Sequence, residues 1–548
     1  MSTLPQRTSP AHAWAWCLFC AVAMSYGWGW RGSYGHEDGA MLPGALVGMA
    51  VCLGSRRVDW HRRTALAGLC GAVGWSWGGS LSNMEHTFYV VSDSGPDVVW
   101  AFACIFLVGM LWSGIGSAVL SFALTLPRSV LAGFAGPLAA NGAALCATYL
   151  AYAVRPDWGN AVESFGVAHF HDTKYFAATL ILVVSAVYAC VRPRERAQAA
   201  LFVAGAAGWW AGYLTLTRFG GLVLAPPDRS EGWGGCLGVF VVLLLYLARQ
   251  RNFAGLRMAL VGAWTGGAAF VLALAATHPL VVRYGPFAQT TVTDTWKITE
   301  ETFGFLMGLG VAAAAVGLAR GEIAPAAEDA HRRRSDTFAA FVLLVFMMWL
   351  NFAKNVRDWR DRYDILPHHE IAGLSAGQWF LVVGVAATLV ALVALWRLRR
   401  GTLETALPAT PFGKGAVLFL LVLWIAQSGI SVHRFVEIGH GSNVLVEVSY
   451  WLLATLATGM LLELTPADET PETVRGAIPI EDRRWLPGRW YAAAWLATPL
   501  LVAASAALAM AMQEGPHTKG RLRFGPNAYW RTQQPAATTS ESPASPAK

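Results

Sequence analysis

Apolar runs long enough to cross a bilayer recur from one end of the 548-residue chain to the other. Nothing else in the sequence restricts the fold as strongly. A run of ~17–25 apolar residues crosses ~30 Å of hydrocarbon as a helix. In that solvent every backbone N–H and C=O needs an internal partner, which leaves helices or closed barrels. The runs here are continuous, rich in Ala, Leu and Gly, and do not alternate, so helices are expected. They cover 12–30, 38–54, 64–81, 99–125, 129–154, 174–191, 198–217, 232–248, 256–276, 303–319, 336–352, 376–396, 414–430, 443–463 and 490–512. The expected fold is an all-α polytopic integral membrane protein with about 15 transmembrane helices (roughly 13–15). Composition agrees: 14% of residues are charged, against about 25% in soluble domains.

Charge then orients the runs. With the N-terminus inside, the cytoplasmic loops carry Arg56, Arg57, Arg62 and Arg63; Arg128; Arg192, Arg194 and Arg196; and Arg249, Arg251 and Arg257. Further along they carry Arg332, Arg333 and Arg334; Arg397, Arg399 and Arg400; and Arg483, Arg484 and Arg489. This is the positive-inside pattern of a bacterial-type inner membrane, with the C-terminus extracytoplasmic. The net charge of +7 is therefore read as topogenic, and no nucleic-acid partner is expected. Residues 1–23 have the look of a signal peptide, but the apolar run continues through Tyr26 and Trp28, so an uncleaved first helix is favoured. The eight Cys show neither a disulfide framework nor a zinc spacing. The tail 513–548 is extracytoplasmic on this topology, and from about Pro535 its composition is that of a disordered segment.

Sequence echoes suggest a parallel repeat. Gly44–Gly48 resembles Gly234–Gly238, Arg57…Gly68 resembles Arg251…Gly262, and Phe106–Gly109 resembles Phe305–Gly308, in unchanged order. Matched runs lie an even number of spans apart and so share orientation, as in the two halves of major-facilitator transporters. The expected organisation is a first half over 1–197, a second over 198–400 and about three appended helices over 401–512. The loop Gly54…Arg63 also resembles the major-facilitator loop between helices two and three, without the glycine that precedes its final arginines.

The outward loops hold the remaining chemistry. The first reads Arg31-Gly-Ser-Tyr-Gly-His36-Glu37-Asp38 between two spans, and the second holds Asn83, Glu85 and His86. Later ones hold Glu163, His169, His171 and Asp172; Arg218, Asp228 and Arg229; and Arg283, Asp294, Lys297, Glu300 and Glu301. The last two hold His368, His369 and Glu370, then His433, Arg434, His440 and Asn443. Ionisable groups at the edge of hydrocarbon cost desolvation and mark functional sites.

Imidazole beside carboxylate can move protons, so His36, Glu37, Asp38, Glu85, His86 and His440 are the candidate catalytic residues. Guanidinium forks suit phosphate or carboxylate. Arg31, Arg218, Arg229, Arg283 and Arg434, with Asn83, Asp228 and Asn443, are the candidate substrate-binding residues. No metal spacing such as HExxH occurs, so no metal site is assigned and no cofactor is expected, a divalent cation being the one that the ligand types would accommodate.

Polar groups on one face, with apolar span centres, fit chemistry at one leaflet. The expectation is a transferase or hydrolase acting on an anionic, phosphate-bearing, lipid-linked substrate, with membrane lipids as partners. The alternative is a secondary transporter of a small anionic or sugar-like solute.

Overall fold

The computed structural model describes residues 10–34, 37–55, 57–78, 89–92, 94–154, 173–222, 224, 232–284, 294–321, 332–352, 413–436, 444–464 and 488–512, with isolated positions between 359 and 393. The described residues are helical and form no strand. Helices stand over every expected range except 376–396, which is described only at isolated positions. Eight helices among the described residues are long and apolar enough to cross a membrane, the property expected of a multi-pass integral membrane protein.

Six helices make the core: α1 (Pro10–Tyr34), α2 (Glu37–Leu53), α3 (Thr64–Gly78), α4 (Gly95–Thr125), α9 (Phe253–Tyr284) and α10 (Thr295–Gly321). They pack as a closed ring, α1 on α2, α2 on α3, α3 on α4, α4 on α9, α9 on α10, and α10 back on α1. Glycine sets the ring's tightness. A Cβ at Gly74 would lie 2.9 Å from the Gly116 Cα, one at Gly266 would press on the Gly109 carbonyl, and one at Gly308 would lie 2.8 Å from the Ala21 Cα. Small residues let backbones approach where lipid offers no hydrophobic drive for helix association. Each contact joins antiparallel neighbours: Gly304 lies against Met24 and Trp28, while Gly308 lies against Cys20 and Ala21.

The peripheral helices are α5 (Ala135–Val154), α6 (Thr173–Val191), α7 (Arg196–Gly212, extended by a π-helical turn Tyr213–Phe219) and α8 (Trp233–Arg249). They form a row joined to the ring through α8 on α4. Elsewhere around the ring, α11 (Arg332–Phe341) packs on α3, α12 (Gly413–Val436) on α2, α13 (Val444–Leu464) on α1, and α14 (Thr498–Ala511) on α4 and α9. The outer side of α13 exposes Val448, Trp451, Leu452 and Leu456, an apolar stripe that would be costly in water.

The ring draws four helices from before residue 197 and two from after it. The glycine pairs likened in the sequence also meet different neighbours. Gly44 and Gly48 face the following helix at Gly71 and Ala67, whereas Gly234 and Gly238 face the preceding helix at Gly212 and Gly208.

At the ring end near the N-terminus of α1, the arginines are more than topogenic charges. Arg63 is 2% exposed and its Nη1 donates to the carbonyls of Ala123 (2.9 Å) and Leu126 (2.8 Å), closing the C-terminus of α4. Arg128 is 1% exposed, pairs with Asp336 at 2.8 Å and donates to the Arg62 carbonyl. The last carbonyls of a helix lack intrahelical donors, and a cation there also complements the dipole. Arginines of these basic loops thus tie helix ends and neighbouring segments together.

Candidate functional site

The opposite end of the ring holds a buried charge cluster. It is built where the last turns of α1 and α12 meet the first turns of α10 and α13. Arg31 on α1, Asp294 and Lys297 and Glu300 at the start of α10, and Arg434 on α12 are each at most 9% exposed. Glu301 joins them, half-buried. Three cations thus face three carboxylates.

The sequence builds this locally. Asp294 precedes α10, and its Oδ1 accepts from the Lys297 backbone N–H at 3.1 Å, the geometry of a helix N-cap. The helix therefore starts at Thr295, well ahead of the apolar run at 303. Residues 297, 300 and 301 then share one face by i,i+3 and i,i+4 spacing. That face meets α1 at Gly29 and Gly32. A side chain at Gly32 would fall on both the Glu300 carboxylate and the Lys297 ammonium, and a Cβ at Gly29 would lie 2.6 Å from Glu301 Cγ. The glycines of Trp28-Gly-Trp30-Arg31-Gly32 thus admit the acids of α10 to the backbone of α1.

Arg31 Nη1 donates to Glu300 Oε1 at 2.9 Å, with both side chains essentially out of solvent. Lys297 Nζ stands 3.9 Å from Glu300 Oε2, too far for a hydrogen bond. Neither Nζ nor Oε2 has any hydrogen-bond partner. Arg434 and Asp294 lie within electrostatic reach of Lys297. Glu301 Oε1 accepts from Ser449 Oγ at 2.7 Å, and Tyr450 OH donates to the Gly29 carbonyl at 2.6 Å, which ties α13 to the cluster. Beside Arg434, His433 Nδ1 accepts from Trp359 Nε1 at 3.1 Å.

Beneath the cluster lies an aromatic floor. Trp28, Trp112, Phe270 and Phe303 come from α1, α4, α9 and α10 in that order and are fully buried. Trp28 stacks on Trp112 at 4.8 Å, Trp112 on Phe270 at 5.3 Å, and Phe270 meets Phe303 at 4.5 Å. The Arg31 guanidinium lies 5.6 Å from the Trp28 ring and 5.4 Å from the Trp112 ring, within cation–π range.

The residues expected from the sequence divide into three sets. Arg31 and Arg434 enter the cluster. Asp38 sits half-buried in the first turn of α2, and its carbonyl accepts from Asn351 Nδ2 at 3.1 Å. Arg218 and Arg283 are exposed; Arg218 rides on the π-helical turn beside α8 in the peripheral row, so it does not share the buried setting of Arg31. His36, Asn83, Glu85, His86, Asp228, Arg229, His440 and Asn443 lie outside the described residues, as do Glu163, His169, His171, Asp172, His368 and His369 and the tail from 513. Glu37 opens α2.

Lys297, Glu300 and Glu301, read from the sequence as loop residues, are helical and buried or half-buried. They stand in the first two turns of Thr295–Ala319, one of the eight long apolar helices, at its end and not at its centre. The Asp294 cap signal three residues before Lys297 would have found them. No group of three or more metal-ligating side chains occurs among the described residues. No protein-family model, curated protein or solved structure matches the chain.

Proposed function

We propose that the chain is a multi-pass inner-membrane enzyme, a transferase or hydrolase, that works on an anionic, phosphate-bearing lipid-linked substrate at its extracytoplasmic end. The observation that carries this reading is Lys297: a buried ammonium with no hydrogen-bond acceptor, beside a carboxylate held by Arg31, above an aromatic floor. A buried cation with unused donors recruits an anionic oxygen, and the low dielectric strengthens that attraction. The floor lies between the cluster and the other end of the ring, where Arg63 caps α4 and Arg128 holds Asp336. Chemistry approached from one leaflet suits that layout better than passage between two sides. Orientation follows from the basic loops, with the N-terminus cytoplasmic.

One observation favours a second reading. Ionisable side chains inside an apolar helix are the usual apparatus of ion-coupled transport, and α10 holds three. A secondary transporter of a small anion, built on the six-plus-six repeat, is therefore the alternative.

Native mass spectrometry of gently purified protein separates the two. A stoichiometric phosphate-bearing lipid adduct is expected in the wild type, lost in Lys297→Ala and retained in Arg218→Ala. No specific adduct, together with Glu300-dependent uptake of a small anion into proteoliposomes, overturns the enzyme in favour of the transporter.

A further inference from the structure

Glu300 uses only one of its carboxylate oxygens. Arg31 holds Oε1 at 2.9 Å, while Oε2 has no donor. Lys297 Nζ, 3.9 Å from Oε2, has no acceptor. Side chains this buried seldom leave polar atoms unspent, and each such atom costs about 1–3 kcal/mol. The two do not simply close on each other, because the Gly32 backbone of α1 lies against both. An acceptor site on Glu300 and a donor site on Lys297, 3.9 Å apart, match a single bridging group that donates and accepts at once. A hydroxyl does this; a phosphate oxygen, which only accepts, can take another of the three Lys297 donors but cannot bond to Glu300 Oε2.

We propose that Lys297 Nζ and Glu300 Oε2 together seat one hydroxyl oxygen, of water or of a substrate alcohol, and that Glu300 is the base that takes its proton. This rests on the enzyme reading above and adds the nucleophile to it. In the reaction the seated O–H bond breaks and its proton passes to Glu300 Oε2. The oxygen forms a bond to the electrophilic phosphorus or carbon of the lipid-linked substrate. The bond to the leaving oxygen breaks, that oxygen keeps the electron pair, and it takes the proton back from Glu300. Lys297 hydrogen-bonds the attacking oxygen throughout and stays protonated. Arg31 orients Glu300 by occupying Oε1, and its charge favours the ionised carboxylate. Water in the seat makes the enzyme a hydrolase; an alcohol makes it a transferase.

The seat and the base have separate tests on the full chain in nanodiscs. Cryo-electron microscopy at a resolution that shows ordered water is expected to reveal one non-protein oxygen in hydrogen-bond range of both Lys297 Nζ and Glu300 Oε2. Adding glycerol as the alcohol probe decides the source: an extended feature replacing the single peak marks an alcohol seat, and an unchanged peak marks a water seat. A direct Lys297–Glu300 hydrogen bond with no oxygen between them overturns the proposal.

Infrared difference between wild type and Glu300→Gln is expected to lose an ionised carboxylate band. Loss of a protonated carboxyl band instead overturns the base. Glu300→Gln is also expected to trap, in native mass spectra, a lipid adduct of different mass from that carried by the wild type, because binding survives and turnover stops. The same adduct in both proteins overturns the catalytic role. Absence of any adduct in both, with the seated oxygen still seen, removes the enzyme reading and leaves the hydroxyl seat standing. If Glu300→Gln does not fold, Lys297→Met, which removes the donor, is expected to lose the seated oxygen; its persistence there counts against the seat.

Discussion

At the residue scale, Arg31 and Glu300 form a pair that is costly to break by halves. Removing one member strands the other charge in a dry interior, which costs about 3–5 kcal/mol, whereas removing both removes the penalty with the pair. Arg31→Ala and Glu300→Ala are each expected to lower the unfolding free energy strongly. The double variant should lose at least about 1 kcal/mol less than the sum of the singles. A cycle read by denaturant unfolding in detergent checks this, and additivity within about 0.5 kcal/mol would mean that the pair is not coupled. Gly32 belongs to the same unit. In Gly32→Ala the new methyl falls on Glu300 and Lys297, and overpacking of this kind costs about 1–3 kcal/mol. Its thermal unfolding should drop while its specific lipid adduct disappears; retention of the adduct would show that the cluster tolerates displacement.

Helices and their ends give the next scale. The ring's two ends use their charges differently, and a substitution at each separates the uses. Arg128 donates to the Arg62 carbonyl and holds Asp336, so Arg128→Ala is expected to cost about 1–3 kcal/mol of stability. The variant that survives should keep the lipid adduct that Lys297→Ala loses. Equal stability with loss of the adduct would place Arg128 in the site instead of in the scaffold. Helix boundaries explain why the site was only partly legible. Arg31 stands out in sequence because a charge there abuts an apolar run. Lys297, Glu300 and Glu301 do not, because the apolar run begins at 303 while the Asp294 cap starts the helix eight residues earlier. Hydropathy locates hydrocarbon-matched segments, but backbone hydrogen bonding decides where a helix begins.

Over the whole molecule, the two charged ends predict sidedness. Arg283 ends α9 near the cluster and Arg251 precedes α9 at the opposite end, and both are exposed. Cys190 is the one exposed cysteine among the described residues, so Cys190→Ser gives a quiet background. In that background Arg283→Cys should react with an impermeant maleimide on intact cells, and Arg251→Cys only after permeabilisation. The reverse pattern would invert the topology and move the cluster to the cytoplasmic leaflet.

The helical class and the presence of long apolar helices were set by the sequence alone, since both follow from run length in a solvent that admits no unpaired backbone. The closed ring of α1–α4 with α9 and α10, and the meeting of Arg31 with Glu300, 269 positions further along the chain, were decided only by tertiary structure. Which glycine seams interlock depends on surface shape along whole helices, and the likened pairs Gly44/Gly48 and Gly234/Gly238 turn to opposite neighbours despite similar sequence. A charge pattern along the chain names the groups that need partners. Packing chooses the partners, and here it left one donor and one acceptor unspent beside Gly32.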